Sequence, residues 1–257
     1  IEEPEPPAPV TEPEKTFEEV LDEHPVSIQV NGQWQTFPNA KAAEEASYEE
    51  YKANLRRNAK NFRITDEHLG EGGPKAKFQA NVNAIRLLKE LEAAGQQASP
   101  EQQEVLSRYV GWGGLSDAFD PEKPAWALEY AQLKELLTPE EYAAARSSTL
   151  NAHYTSPTVI KAIYDAVGRM GFETGNILEP SMGVGNFFGM LPEKMRNSRL
   201  YGVELDPVSG RIAKQLYPKA DITVGGFETT DRRDFFDLAI GNVPFGQYKV
   251  NDKAYNK

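Results

Sequence analysis

The tetrapeptide Asn242-Val243-Pro244-Phe245 follows directly on the apolar run Phe236-Asp237-Leu238-Ala239-Ile240-Gly241. A buried strand ending there delivers an amide, a rigid proline and an aromatic ring to the edge of a sheet. These groups suit a flat ring that bears an amine. The Asn242 side-chain oxygen and the Val243 carbonyl can both accept hydrogen bonds from an exocyclic amine, and Phe245 can stack on the ring's face. A second set of residues lies upstream, in Asn176-Ile177-Leu178-Glu179-Pro180-Ser181-Met182-Gly183-Val184-Gly185-Asn186-Phe187. A short apolar strand runs into a glycine-rich turn, and a helix is expected after it. Gly183 and Gly185 have no Cβ, so the backbone can turn tightly and approach a ligand closely. The strand Leu200-Tyr201-Gly202-Val203-Glu204 then ends in a carboxylate about twenty residues beyond the glycines, where an acid can take both hydroxyls of a ribose. The plainer alternative is a surface acid at a strand end. Turn and acid in register favour a nucleoside-type cofactor.

Two cofactor classes fit this pattern. A dinucleotide enzyme also shows strand, glycines, helix, strand and acid, but Phe188 stands where its third glycine usually falls, with Gly189 one position later. Methyl transfer from S-adenosyl-L-methionine needs a turn near the methionine part, an acid for the ribose, an apolar clamp for the adenine and an acceptor pocket after the fourth strand. The Asn-Val-Pro-Phe segment supplies the last of these, and a dinucleotide enzyme has no evident use for it.

On these residues the chain resembles the N6-adenine class of amino-methyltransferases, which act on DNA. The resemblance runs from about His153 to Phe245. The family's entry motif is matched by His153-Tyr154-Thr155-Ser156-Pro157, before an amphipathic helix from Thr158 to Met170. The cofactor loop is matched by Leu178 to Gly185, the ribose acid by Glu204 within Tyr-Gly-Val-Glu-Leu-Asp-Pro, and the adenine side by Val224-Gly225-Gly226-Phe227-Glu228. The resemblance thus implies cofactor contacts from Tyr154, Thr155, Glu179, Pro180, Met182, Gly183, Gly185, Glu204, Leu205, Phe227 and Asn242. It implies a catalytic role for Asn242, Val243, Pro244 and Phe245, and no metal. Three positions depart from the family pattern. Val243 replaces the first proline, although the group used there is a backbone carbonyl and a residue before proline stays biased toward extended geometry. Ser181-Met182 follows the loop proline, where a cysteine is common at the second position. Gly226 and Phe227 stand where an acid is frequent, so that Phe227 either stacks on adenine or belongs to the core.

The implied reaction turns the target adenine out of its duplex, with Asn242 and Val243 accepting from its amino group and aiming the nitrogen lone pair at the sulfonium methyl. The segments Asn61-Phe62-Arg63-Ile64-Thr65 and Tyr109-Val110-Gly111-Trp112-Gly113-Gly114-Leu115 resemble one subgroup, very large proteins of conjugative elements and phages. In these a methyltransferase region precedes a helicase-like region, which becomes an expected partner within the parent chain.

The elements that must position these residues are also legible. The chain has 257 residues and a net charge of −11. Nine acids against Lys15 in residues 1–23 account for −8 of that charge, and this Pro/Glu-rich arm reads as a disordered, self-repelling linker. Basic clusters remain at Arg56-Arg57-Asn58-Ala59-Lys60 and Arg232-Arg233. They are either solvated faces or phosphate contacts for DNA. With no cysteine, disulfide and thiolate–metal chemistry are excluded. No apolar run approaches membrane-spanning length, so a soluble, cytoplasmic protein is expected.

Residues 24–150 read as a β-hairpin, with Asn31-Gly32 as a type I′ turn, followed by helices at Asn39 to Asn58, Lys75 to Ala94, Pro100 to Tyr109, Pro124 to Leu137 and Pro139 to Ser148. Trp112 in the loop between helices either lids the pocket or pins a tight turn. Residues 151–257 read as the cofactor-binding core, with strands at 176–179, 200–204, 221–224 and 236–241 alternating with connections. The expected class is α/β, a Rossmann-like methyltransferase parallel sheet that stops short of a full set of strands, preceded by a mainly helical region. The chain starts with Ile1 and is expected to be a fragment that need not be active alone. Two alternatives stay open: methylation of RNA or of a protein glutamine, and an inactive DNA-binding or interaction platform.

Overall fold

The computed structural model describes residues 24–150 and 154–243. The acidic arm, His153, Pro244 and Phe245 lie outside the described residues. The chain divides between Arg57 and Asn58 into two compact units.

In the first unit, β1 (Val26–Val30) and β2 (Gln33–Phe37) pair antiparallel with Val30 opposite Gln33. Asn31 and Gly32 alone make the turn, with φ of 53° and 75°. Both values are left-handed, as a type I′ turn requires. The helix α1 (Ala40–Asn58) opens on Asn39, whose side-chain oxygen accepts from the Ala42 amide at 2.8 Å.

The second unit begins with helices whose ends are written in local chemistry. The helix α2 (Pro74–Ala94) starts on a proline, whose missing N–H costs nothing there, and stops at Gly95 with φ 62°. Both α3 (Pro100–Ser107) and α5 (Pro139–Ser148) open with reciprocal capping boxes, Ser99 with Gln102 and Thr138 with Glu141. Between them α4 (Ala127–Leu136) is entered through a 3-10 turn at Pro124–Trp126. The amphipathic helix α6 (Pro157–Arg169) buries Ile160, Tyr164 and Val167.

A mixed α/β body follows. The strands β3 (Asn176–Glu179), β4 (Arg199–Glu204), β5 (Asp221–Val224) and β6 (Leu238–Ala239) are all parallel, in the order β5-β4-β3-β6. The chain builds outward from β3 through β4 to β5, then returns to the other side of β3. The strand order therefore reverses at β3, and a crevice opens at the carboxyl ends of the strands there, the usual ligand position in open parallel sheets. The strand β6 is shorter than the expected 236–241, but its pairing is extended by Asp237 N–H to the Asn176 carbonyl and Ile240 N–H to the Leu178 carbonyl, both 2.9 Å.

Two connections differ from the usual strand–helix alternation. After β3 the helix α7 (Asn186–Gly189) is one turn long. Phe187 and Phe188 on it are buried and anchor the turn in the core. Between β4 and β5 runs α8 (Pro207–Leu216), packed through Val208, Ile212, Ala213 and Leu216. Between β5 and β6 the described chain has only a 3-10 turn at Phe227–Thr229. Phe235 and Phe236 there stand edge-on to Tyr201 at 5.2 and 5.5 Å, and Arg232 lies over the Tyr201 ring at 4.6 Å while pairing with Asp221 at 2.6 Å. A cavity of about 340 Å³ lies beside this segment, lined by Leu178, Tyr201, Thr223, Thr230, Arg232 and Phe236. Arg232 is thus engaged within the fold.

Helical region and sheet share one core. Phe78, Val82, Ile85, Leu88 and Trp112 belong to the same buried cluster as Ile177, Met182, Phe188 and Ile212. The Asn61-Phe62-Arg63-Ile64 segment acts as a strap across it. The Phe62 amide donates to the Leu216 carbonyl at 2.8 Å and the Ile64 amide to the Gly189 carbonyl at 2.9 Å, satisfying carbonyls at the ends of α8 and α7. No described helix is long and apolar enough to cross a membrane.

Candidate cofactor and acceptor site

At the carboxyl end of β3 the chain turns through Gly183 and Gly185, whose φ values of 55° and 84° lie in the left-handed region. Space as well as conformation demands glycine here. A Cβ at Gly183 would sit 2.7 Å from the Tyr154 ring, and one at Gly185 would sit 2.5 Å from the Tyr217 ring. The turn therefore rests on two tyrosines. Tyr154 comes from the residues just before α6, and its hydroxyl lies 3.3 Å from Ser209 Oγ. Tyr217 comes from the end of α8 and packs edge-on against Phe188 at 5.7 Å.

Glu204 at the end of β4 faces the turn. One carboxylate oxygen accepts from the Gly183 amide at 2.6 Å and the other from the Asp206 amide at 2.8 Å. Burial raises its pKa above the ordinary carboxylate value, against the opposing pull of these amides. An ionised carboxylate has about four acceptor sites, so Glu204 can still accept from a ligand. Glu179 ends β3 and is almost fully buried. Burial and the nearby Glu204 charge hold its pKa well above normal, opposed by the Phe187 and Phe188 amides. Its Oε2 has no hydrogen-bond partner. An orphaned buried oxygen beside a bare glycine turn fits a ligand that brings a donor, such as an ammonium group.

The other residues the resemblance implies are placed as follows. Pro180 directly follows Glu179 and Thr155 directly follows Tyr154, and both are half-buried. Leu205 and Phe227 are 74% and 51% exposed at the ends of β4 and β5, an apolar pair left open to solvent. Phe227 is therefore not a core residue. Met182 is buried, and its sulfur lies 2.2 Å from where a Gly202 Cβ would stand, so its side chain packs on the sheet and only its backbone belongs to the turn. On the acceptor side, a Cβ at Gly241 would lie 3.5 Å from Pro180 Cδ, which sets the backbone that carries Asn242 and Val243 directly beside the end of β3. Asn242 and Val243 are exposed at the crevice end of the sheet.

Several residues at the site were not among those expected from sequence. Tyr217, Ser209 and Asn81 carry no motif. Asn81 had a signal, since it is a polar residue on the apolar stripe Phe78, Val82, Ile85, Leu88 of α2, and it is fully buried. Trp112 is 1% exposed and edge-on to Phe78, Tyr109 and Phe119, so it pins its loop rather than lidding a pocket.

Among known proteins, no family model matches the chain. It is homologous to the Type II methyltransferase M.CvrRI of Paramecium bursaria Chlorella virus XZ-6E, 38% identical over 92 residues, which is 36% of this chain and 24% of that protein. It also matches the defense against restriction protein B of Escherichia phage P1, 27% identical over 180 residues, or 69% of this chain and 6% of that protein. The chain thus spans less than a quarter of the length of these relatives. A solved structure from Listeria monocytogenes, described as a putative class I S-adenosylmethionine-dependent methyltransferase, matches at 16% identity with a TM-score of 0.35, over 69% of this chain and 60% of that one.

Proposed function

We propose that this chain carries the cofactor-binding part and the acceptor-binding strand of an S-adenosylmethionine-dependent methyltransferase whose target is the exocyclic N6 amine of adenine in DNA. The observation that carries this reading is the switch point at β3. There a glycine turn bonded to the Glu204 carboxylate at 2.6 Å stands next to the β6 end that bears Asn242 and Val243.

When bound, the cofactor supplies an electrophilic methyl group on a sulfonium sulfur. Glu204 would hold its ribose hydroxyls, Glu179 its ammonium group, and Leu205 and Phe227 its adenine. The Asn242 side-chain oxygen and the Val243 carbonyl would accept from the target amine and orient its nitrogen toward the methyl group. No protein nucleophile is required, because positioning and preorganised acceptors are sufficient. The resemblance assigns Phe245 to stacking on the base, worth on the order of 1–3 kcal/mol. DNA as substrate, and a helicase-like region elsewhere in the parent chain, belong to the same proposal. The Type II methyltransferase relative supports the first.

The test is calorimetric titration with S-adenosylmethionine, followed by methylation of duplex DNA by the parent protein. Asn242→Ala is expected to abolish transfer while cofactor affinity stays within about threefold. Equal loss of both would mean that Asn242 is structural. Transfer to RNA or to a glutamine peptide but not to DNA would move the acceptor assignment.

A further inference from the structure

The loop Tyr109-Val110-Gly111-Trp112 belongs to the helical region, yet it meets the cofactor turn through one ring. A Cβ at Gly111 would lie 2.6 Å from Tyr154 Cε2, and one at Gly183 would lie 2.7 Å from Tyr154 Cε1. The Tyr154 ring is therefore clamped between two glycine backbones, one on each side. Tyr109 adds an edge contact to the same ring at 6.5 Å. Gly111 has φ 69°, so its backbone is held in the left-handed region. What holds it there is Asn81. Its side-chain amide donates to the Gly111 carbonyl at 2.6 Å and its side-chain oxygen accepts from the Val110 amide at 2.9 Å. The first bond is buried and the second part-buried, and losing a buried partner leaves a backbone group unsatisfied.

We infer that Asn81 is a positioning residue for the cofactor site, acting through Gly111 to seat Tyr154 under the Gly183 turn. The inference deepens the proposed function and rests on that reading for its ligand. It ties the helical region to the chemistry, since α2 fixes one jaw of a clamp whose other jaw is the cofactor turn itself. A substitution at Asn81 frees the Val110–Gly111 peptides, lets the clamp open and allows Tyr154 to leave the Gly183 backbone. Glu204 then holds the Gly183 amide alone.

The experiment uses the full chain with 13C-labelled tyrosine, the Tyr154 ring signal being assigned by its absence from Tyr154→Phe. Asn81→Ala is compared with Leu88→Ala, a cavity-forming change in the same helix that removes a fully buried side chain away from the loop. Asn81→Ala is expected to move or broaden the Tyr154 ring signal in the ligand-free protein and to weaken S-adenosylmethionine about tenfold. Leu88→Ala is expected to lower thermal stability at least as much while leaving both readouts in place. An unmoved Tyr154 signal in Asn81→Ala overturns the inference whatever the ligand does. So does equal loss of affinity in the two variants. Failure of the unsubstituted chain to bind, with the Tyr154 signal still responding to Asn81→Ala, overturns the cofactor reading and removes the functional half of the inference with it.

Discussion

Replacing Glu204 probes the centre of the site most directly. Its carboxylate makes two backbone hydrogen bonds, 2.6 Å from the Gly183 amide and 2.8 Å from the Asp206 amide. It stands at the end of β4, where a ribose would lie against the turn. A hydrogen bond to a charged acceptor contributes about 1.5–3 kcal/mol. Two ribose hydroxyls therefore correspond to about 3–6 kcal/mol, or about 10²- to 10⁴-fold in Kd. Glu204→Ala should weaken S-adenosylmethionine by that amount in calorimetric titration. Glu204→Gln keeps one acceptor oxygen and should fall between. The pH dependence follows from the same environment. Burial raises the Glu204 pKa above the ordinary 4.5, and the ribose hydroxyls favour the ionised form. Affinity should therefore fall on acidification, beginning at a higher pH than for an ordinary carboxylate, and Glu204→Ala should lack this limb. A Kd for Glu204→Ala within about threefold of the parent would refute the assignment of the ribose to this residue.

Other outcomes follow from neighbouring features. Burial and the Glu204 charge raise the Glu179 pKa well above its ordinary value, and pairing with an ammonium group should lower it. Cofactor binding near neutral pH should then release up to about one proton, read from titrations in buffers of different ionisation enthalpy, and Glu179→Gln should abolish the release. Gly185→Ala places a Cβ 2.5 Å from the Tyr217 ring at φ 84° and should cost about 1–3 kcal/mol in urea unfolding. At Glu141, burial pushes the carboxyl up, but the Thr138 amide, Lys89 and Arg211 outweigh it and hold the pKa below 4.5. Its contribution is complete above that value and is lost as pH falls through the lowered one. Glu141→Ala should cost about 2–3 kcal/mol at neutral pH, less than a fully buried pair because the Lys89 and Arg211 side chains are 33% and 30% exposed. The deficit should close on acidification, and a deficit that persists unchanged at low pH would show a packing effect instead.

Elements with local signals were legible from sequence. The Asn-Gly turn, the prolines at helix starts and the Ser99 and Thr138 boxes act within a few residues, so the hairpin turn and the starts at Pro100 and Pro139 followed from residue types, whereas Pro124 opens a 3-10 turn and the helix itself begins at Ala127. Strands β3 and β5 were likewise bounded by turn residues. The site's skeleton was readable because glycines and a terminal acid have a purpose that sequence spacing preserves. Its supports were not. Tyr217 stands under Gly185, and Asn81 holds Gly111, across separations that no periodicity encodes. The helix expected after the glycine turn is present, but its length of a single turn, α7, with Phe187 and Phe188 buried on it, has no local signal. Met182 matched a motif position, but its side chain was claimed by the bare surface of Gly202.

The pairing of β6 has a consequence for how the chain opens. Its two strand residues bond to β3 some sixty positions earlier, whereas β4 pairs along its length with near neighbours on both sides. Closing the long loop is entropically later than forming the β3-β4-β5 core. Native-state hydrogen exchange should accordingly divide the sheet into two cooperative units, with the amides of Asp237 and Ile240 exchanging through a cheaper opening than those of β4. The strand that presents Asn242 can then detach while the glycine turn and Glu204 stay folded. On the proposed function, a population caught in that state would bind S-adenosylmethionine without presenting Asn242 to an acceptor.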